Sequence, residues 1–94
     1  MKKKKYLQTF LDKSLLKQTQ LFFGEKSYIK INNITEVRSS NSFMINVCLY
    51  IEDPSYVDTL YPDGLNLLIK TAWDSMGTKK NISISSSFDL IPES

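Results

Sequence analysis

Three stretches of the chain alternate between apolar and polar residues, and two others repeat apolar residues at helical spacing. In "SYIKINNITEVR" the odd positions Ile29, Ile31, Thr35 and Val37 form the mostly apolar set, and in "FMINVCLYIE" the odd positions Phe43, Ile45, Val47, Leu49 and Ile51 are all apolar. A period of two places such residues on one side of an extended strand. The polar run Ser39 to Ser42 between them predicts a hairpin, and with it antiparallel pairing. Near the end, "NISISSSFDLI" puts Ile82, Ile84, Phe88 and Leu90 at even positions and polar residues at odd ones, which predicts a third strand with one buried face.

The helical segments flank these strands. From Lys5 to Phe23, the residues Tyr6, Leu7, Phe10, Leu11, Leu15, Leu21 and Phe22 share one half of a helical wheel, with Leu16 and Phe23 outside the stripe and Gly24 as the stop. Gln8, Thr9, Asp12, Lys13, Thr19 and Gln20 take the other half. After the second strand, Asp53 followed by Pro54 is a helix-start signal, because the carboxylate can accept an early N–H and proline at the first helical position loses no needed donor. A short helix from Pro54 to Leu60, a turn at "YPDG" and a longer helix through Leu65, Leu68, Ile69, Ala72, Trp73 and Met76 are predicted, ended by Gly77.

The order is therefore α, β, β, broken α, β. Strands that are apolar on one side only predict an α+β fold, a two-layer sandwich with a three-stranded sheet and helices on one face. With 94 residues there is room for one core, so residues 1–94 read as a single domain, with a disordered basic tip at 1–4 and a frayed tail at 92–94.

Charge changes this picture only locally. The net charge is +2, but Lys2 to Lys5 crowd the start while Glu52, Asp53, Asp58, Asp63 and Asp74 crowd the middle. Cys48 is the one cysteine and histidine is absent, so an internal disulfide is excluded and a reducing, cytoplasmic setting is expected. No apolar run reaches the length of a membrane span, and no membrane contact is expected. One arginine against eleven lysines, with a single alanine, points to an AT-rich genome, such as that of a low-GC bacterium or a virus that infects one.

Candidate chemistry is sparse. Asp53, Asp58 and Asp63 are five residues apart, whereas a calcium loop needs oxygen ligands at alternate positions, so no metal and no cofactor are expected. Ser14 with Lys17 and Ser27 with Lys30 match a serine–lysine spacing that this composition produces by chance. Cys48 has no histidine to activate it. A carboxylate pair acting as acid and base is the enzymatic alternative, though no spacing singles one out.

The element order, helix, two strands, two helices, strand, resembles that of type II KH domains. In that family a GxxG loop between the paired helices clamps a nucleic-acid backbone. Over "LYPDGLNL", Leu60 to Leu67, Gly64 matches the second glycine, Tyr61 stands at the first, and Pro62 and Asp63 lie between. The resemblance implies RNA or single-stranded DNA as a ligand, with Lys2, Lys3, Lys4, Lys5 and Lys30 as candidate contacts. The first expectation is different: a non-enzymatic binding or assembly module, such as a phage accessory protein, working through contacts with another protein or its own copy. Tyr28, Met44, Cys48, Tyr50, Tyr56 and Tyr61 are its candidate interface, since aromatic and methionine side chains outside a core favour interfaces.

Overall fold

A computed structural model describes residues 2–57, 60–77 and 80–92, with side chains from Lys5 onward. Its helices are α1 (Lys2–Ser14), α2 (Leu16–Phe23) and α3 (Asp63–Ser75), and its strands are β1 (Tyr28–Val37), β2 (Ser42–Ile51) and β3 (Asn81–Leu90). The chain is the α+β two-layer domain that the alternation predicts. Its shortest dimension, 19 Å, is the thickness of one sheet with one layer of helices.

Strand β2 is central. It pairs antiparallel with β1, as the hairpin requires, and parallel with β3, giving the order β1-β2-β3. The parallel pair follows from the crossover: a 3-10 turn at Pro54–Val57 and then α3 carry the chain back along the helical side before β3 begins. All five odd positions of β2 that were expected inside are buried, and they join Leu7, Leu11, Phe23, Leu65 and Ile69 in one core. Burying a row of branched and aromatic side chains this size contributes about 1.5 to 3 kcal/mol per residue.

Strand β1 departs from strict alternation. Its register with β2 slips between Ile31 and Asn33, so a bulge at Asn32 moves the inward set from odd to even positions. Ile34 is therefore buried and Thr35 is exposed, the reverse of the expected pattern. Asn32 Nδ2 donates to Asn46 Oδ1 at 3.0 Å, which ties the extra residue to the next strand.

The first helix differs from expectation more deeply. It begins at Lys2, so the backbone of Lys2–Lys4 continues the helix where a disordered tip was expected, and it breaks at Leu15 (φ −115°, ψ −5°). The buried residues Leu7, Leu11, Leu15, Thr19 and Phe23 recur at every fourth position. Each step of four advances about 40° around a helix axis, so on one straight helix the last would point almost opposite to the first. Splitting the segment into two axes keeps all five against the sheet. The single wheel assumed one axis, and it therefore placed Tyr6, Leu21 and Phe22 inside and Phe23 and Thr19 outside, whereas Phe23 and Thr19 are buried and the other three are exposed. Backbone bonding survives the break, with Leu15 N donating to Leu11 O and Thr19 N to Leu15 O, both at 2.8 Å.

Gly24 ends α2 at φ 112° and ψ 153°, a region that is essentially closed to residues with a side chain. A Cβ there would also lie 3.1 Å from the Tyr56 ring. Ser27, buried beneath this turn, lies with its hydroxyl 2.7 Å from Gly24 O and 3.0 Å from Thr19 O. At the opposite end of the domain, Trp73 Nε1 donates to Lys80 O at 2.8 Å, Lys80 pairs with Glu36, and its ammonium stands 5.0 Å from the centre of the Phe43 ring. These contacts pin the end of the crossover to the hairpin.

Two stability changes follow. Thr19 Oγ1 is buried with no hydrogen-bond partner, so Thr19→Val is expected to stabilise the fold by about 1 kcal/mol, read as a higher midpoint in chemical denaturation. Gly24→Ala is expected to cost about 1 to 3 kcal/mol in the same assay.

Candidate interaction surface

The sheet has helices on one side only, so its other side is built from the outward side chains of three strands. Across that face the rows read Tyr28–Tyr50–Asp89, Lys30–Cys48–Ser87 and Thr35–Met44–Ser83. Tyr28 and Tyr50 stack with ring centres 4.9 Å apart and planes 19° from parallel. Cross-strand aromatic pairs of this kind stabilise a sheet while leaving their polar tips in water. Met44 is exposed, as expected of an interface residue, but Cys48 is only 7% exposed beneath its neighbours and offers a partner little surface. The Cys48 thiol beside Tyr50, with partial burial, raises the Tyr50 phenol above its usual value.

The two edges of the sheet are finished differently. On β1, the Gln8 amide of α1 accepts from Ile31 N at 2.7 Å and donates to Ile29 O at 2.9 Å, so one side chain occupies the edge as a pairing strand would. The bulge at Asn32 and the charge of Lys30 further interrupt that edge. Strand β3 has no such cover. Ile91 N donates to Ile51 O at 2.8 Å, which sets the peptide groups of odd residues toward β2 and those of Ile82, Ile84, Ser86, Phe88 and Leu90 outward. Two side chains reach this edge among the described residues: the Tyr61 hydroxyl donates to Ser86 O at 2.9 Å, and Leu90 N donates to the Asp89 carboxylate at 2.8 Å.

The apolar side of β3 is also incompletely covered. Ile82 and Ile84 are partly buried, while Phe88 is 42% and Leu90 50% exposed, against the expectation of one fully buried face. Length explains this. At 13 residues α3 runs about 20 Å, and a ten-residue strand runs about 33 Å. Trp73 near the end of α3 meets Lys80 just before β3, and Tyr61 just before α3 packs edge-on against Phe88 at 5.1 Å. The helix is thus spent before the strand is, and Leu90 lies past its end.

Of the other expected interface residues, Tyr56 is exposed over Gly24 and Tyr61 is half-buried against Phe88. They lie on the helical side, away from Tyr28, Met44 and Tyr50. The candidate nucleic-acid contacts are separated as well: Lys30 projects from the outer sheet face, Lys5 is exposed on α1 in the opposite layer, and the side chains of Lys2, Lys3 and Lys4 lie outside the described residues. Gly64, the counterpart of a clamp glycine, sits within the first turn of α3, its N–H donating to Leu60 O at 2.7 Å.

The acidic stretch has structural work. Asp53 accepts from Ser55 N at 3.0 Å as the 3-10 turn begins, and that bond holds its carboxyl below the usual value. Glu52 accepts from Lys26 N at 3.2 Å, Asp63 opens α3, and Asp74 lies 4.0 Å from Lys70. Asp58 lies outside the described residues. Among the described residues no group of three or more His, Cys, Asp or Glu is placed to hold a metal ion.

In β3, Phe88 and Leu90 are the residues the alternation misassigns as core. The available signal was a three-strand sheet with helical segments too short to cover it, a matter of lengths and not of residue type. In an absorbance titration Tyr50 is expected to ionise above the ordinary tyrosine range, and Cys48→Ala should return it toward that range. No protein-family model matches this chain and no similar protein was found among curated sequences, so any function has to be argued from the surface itself.

Proposed function

We propose that this chain is a non-enzymatic binding or assembly module that acts through protein–protein contacts, taking up a polypeptide segment along β3. One observation carries the reading: β3 is a full-length strand of the sheet in which no residue is buried. Its outward peptide groups and its half-covered apolar side point to the same missing neighbour. Addition of an extended segment would satisfy the first through main-chain bonds and cover the second with alternate side chains.

The chemistry of the strip favours a polypeptide over a nucleic acid. From Asn81 to Leu90 it carries Asp89 and no lysine or arginine, whereas phosphate binding draws its affinity from cations. Phe88, Leu90 and Tyr61 instead supply the aromatic and aliphatic area that anchors protein interfaces. Within the acidic stretch, Asp53, Glu52 and Asp74 are engaged by Ser55 N, Lys26 N and Lys70 respectively.

A photo-activated benzoylphenylalanine placed at Phe88, and separately at the exposed Lys70 of α3, tests this in the cells that make the protein. Irradiation is expected to yield a polypeptide adduct from position 88 and none from position 70. No adduct at position 88 would overturn the reading.

A further inference from the structure

We infer that the segment taken up along β3 is the β3 of a second copy of this chain, paired antiparallel about a twofold axis through Ser86 to give a continuous six-stranded sheet. The inference rests on the docking reading above and adds the identity of the occupant.

Symmetry restricts the registers. In a twofold contact residue i faces residue j while j faces i, and both must turn their peptide groups outward. The outward residues of β3 are the even ones, so even must face even. Two registers then overlap almost the whole of Asn81–Leu90. Centred on Ser85, the pairing sets Ile84 against Ser86, Ile82 against Phe88 and Leu90 against Lys80. Centred on Ser86, it sets Ser86 against itself, Ile84 against Phe88 and Ile82 against Leu90. Only the second places every apolar side chain of the strip opposite another, which is the arrangement that cross-strand pairs reward. Asp89, the one charge on the strand, then falls opposite Ser83, so no like charges meet.

The strand is also built as an edge that does not resist pairing. Exposed edges are ordinarily interrupted by lysine, proline or a bulge. Strand β1 has a bulge, Lys30 and the Gln8 cap, while β3 has no proline, no lysine and an unbroken register with β2 over its whole length. The local bonds at the edge are compatible with a partner. A carbonyl oxygen accepts two bonds, so Ser86 O keeps a lone pair beside the Tyr61 hydroxyl, and Leu90 N–H exchanges the Asp89 carboxylate for the carbonyl of Ile82 in the other copy.

The test uses the purified full chain. Sedimentation velocity is expected to show a dimer whose population falls on dilution. Ser86→Pro removes an N–H that the monomer's own sheet does not use, and edge strands accept proline there. It is expected to weaken the dimer roughly 30-fold, the loss of two central main-chain bonds. In a Cys48→Ala background, Ser86→Cys is expected to form a disulfide-linked dimer on oxidation while Ser85→Cys does not. Facing Cα atoms at a hydrogen-bonded antiparallel pair stand about 5.5 Å apart, within disulfide reach. This linkage remains a readout if the proline variant fails to fold. Linkage through Ser85→Cys alone would overturn the register, and a monomer at every concentration with neither linkage would overturn self-pairing. A monomeric chain whose position-88 probe still captures another polypeptide would overturn the twofold dimer and leave the docking reading standing.

Discussion

The arrangement depends on the burial of one flank of β2. Phe43, Ile45, Val47, Leu49 and Ile51 stand in a row between two neighbouring strands, and every helix in the domain contributes side chains to cover them. Because β2 is bonded on both edges, its position is fixed twice, and β1 and β3 become edges by necessity. The breaks in the rest of the chain can be understood as accommodations to that row. The α1–α2 break at Leu15 keeps a four-residue stripe in contact with the sheet, the bulge at Asn32 returns Ile34 to the covered side, and the crossover through α3 brings β3 alongside β2.

A domain of this size has little helix to spend. α1 and α2 serve β1 and the start of the core, and α3 serves the rest, so cover is densest over β1 and β2 and thins along β3. Gln8 extends that asymmetry to the edges, since one amide from α1 reaches the β1 edge and, among the described residues, no counterpart from another element reaches β3 beyond the single hydroxyl of Tyr61. An open edge with a half-covered apolar side is costly to leave in water. On β3 both deficits fall on one strand.

Much of the architecture was legible in the residues. The inward set of β2, the hairpin, the Asp53 cap and the apolar face of α3 were all readable, because each is a local pattern acted on by one constraint. The candidate surface was legible only in part. Tyr28, Met44 and Tyr50 do lie on the outer face, but Cys48 beside them is covered, and Tyr56 and Tyr61 belong to the helical side. Thr19 misled in the opposite direction: a wheel drawn on one axis placed it outside, and the change of axis at Leu15 placed it inside with an unpaired hydroxyl.

What the sequence determined by itself was periodicity, and hence which segments coil, which extend, and which flank of β2 is buried. It did so because side-chain direction along a helix or strand is fixed by backbone geometry, one residue after another. The tertiary structure decided where those periods break and how far one element covers the next. The axis change at Leu15, the slip at Asn32 and the exposure of Phe88 and Leu90 depend on matching lengths and directions between elements distant in sequence, and a pattern read along one element holds no information about the reach of another.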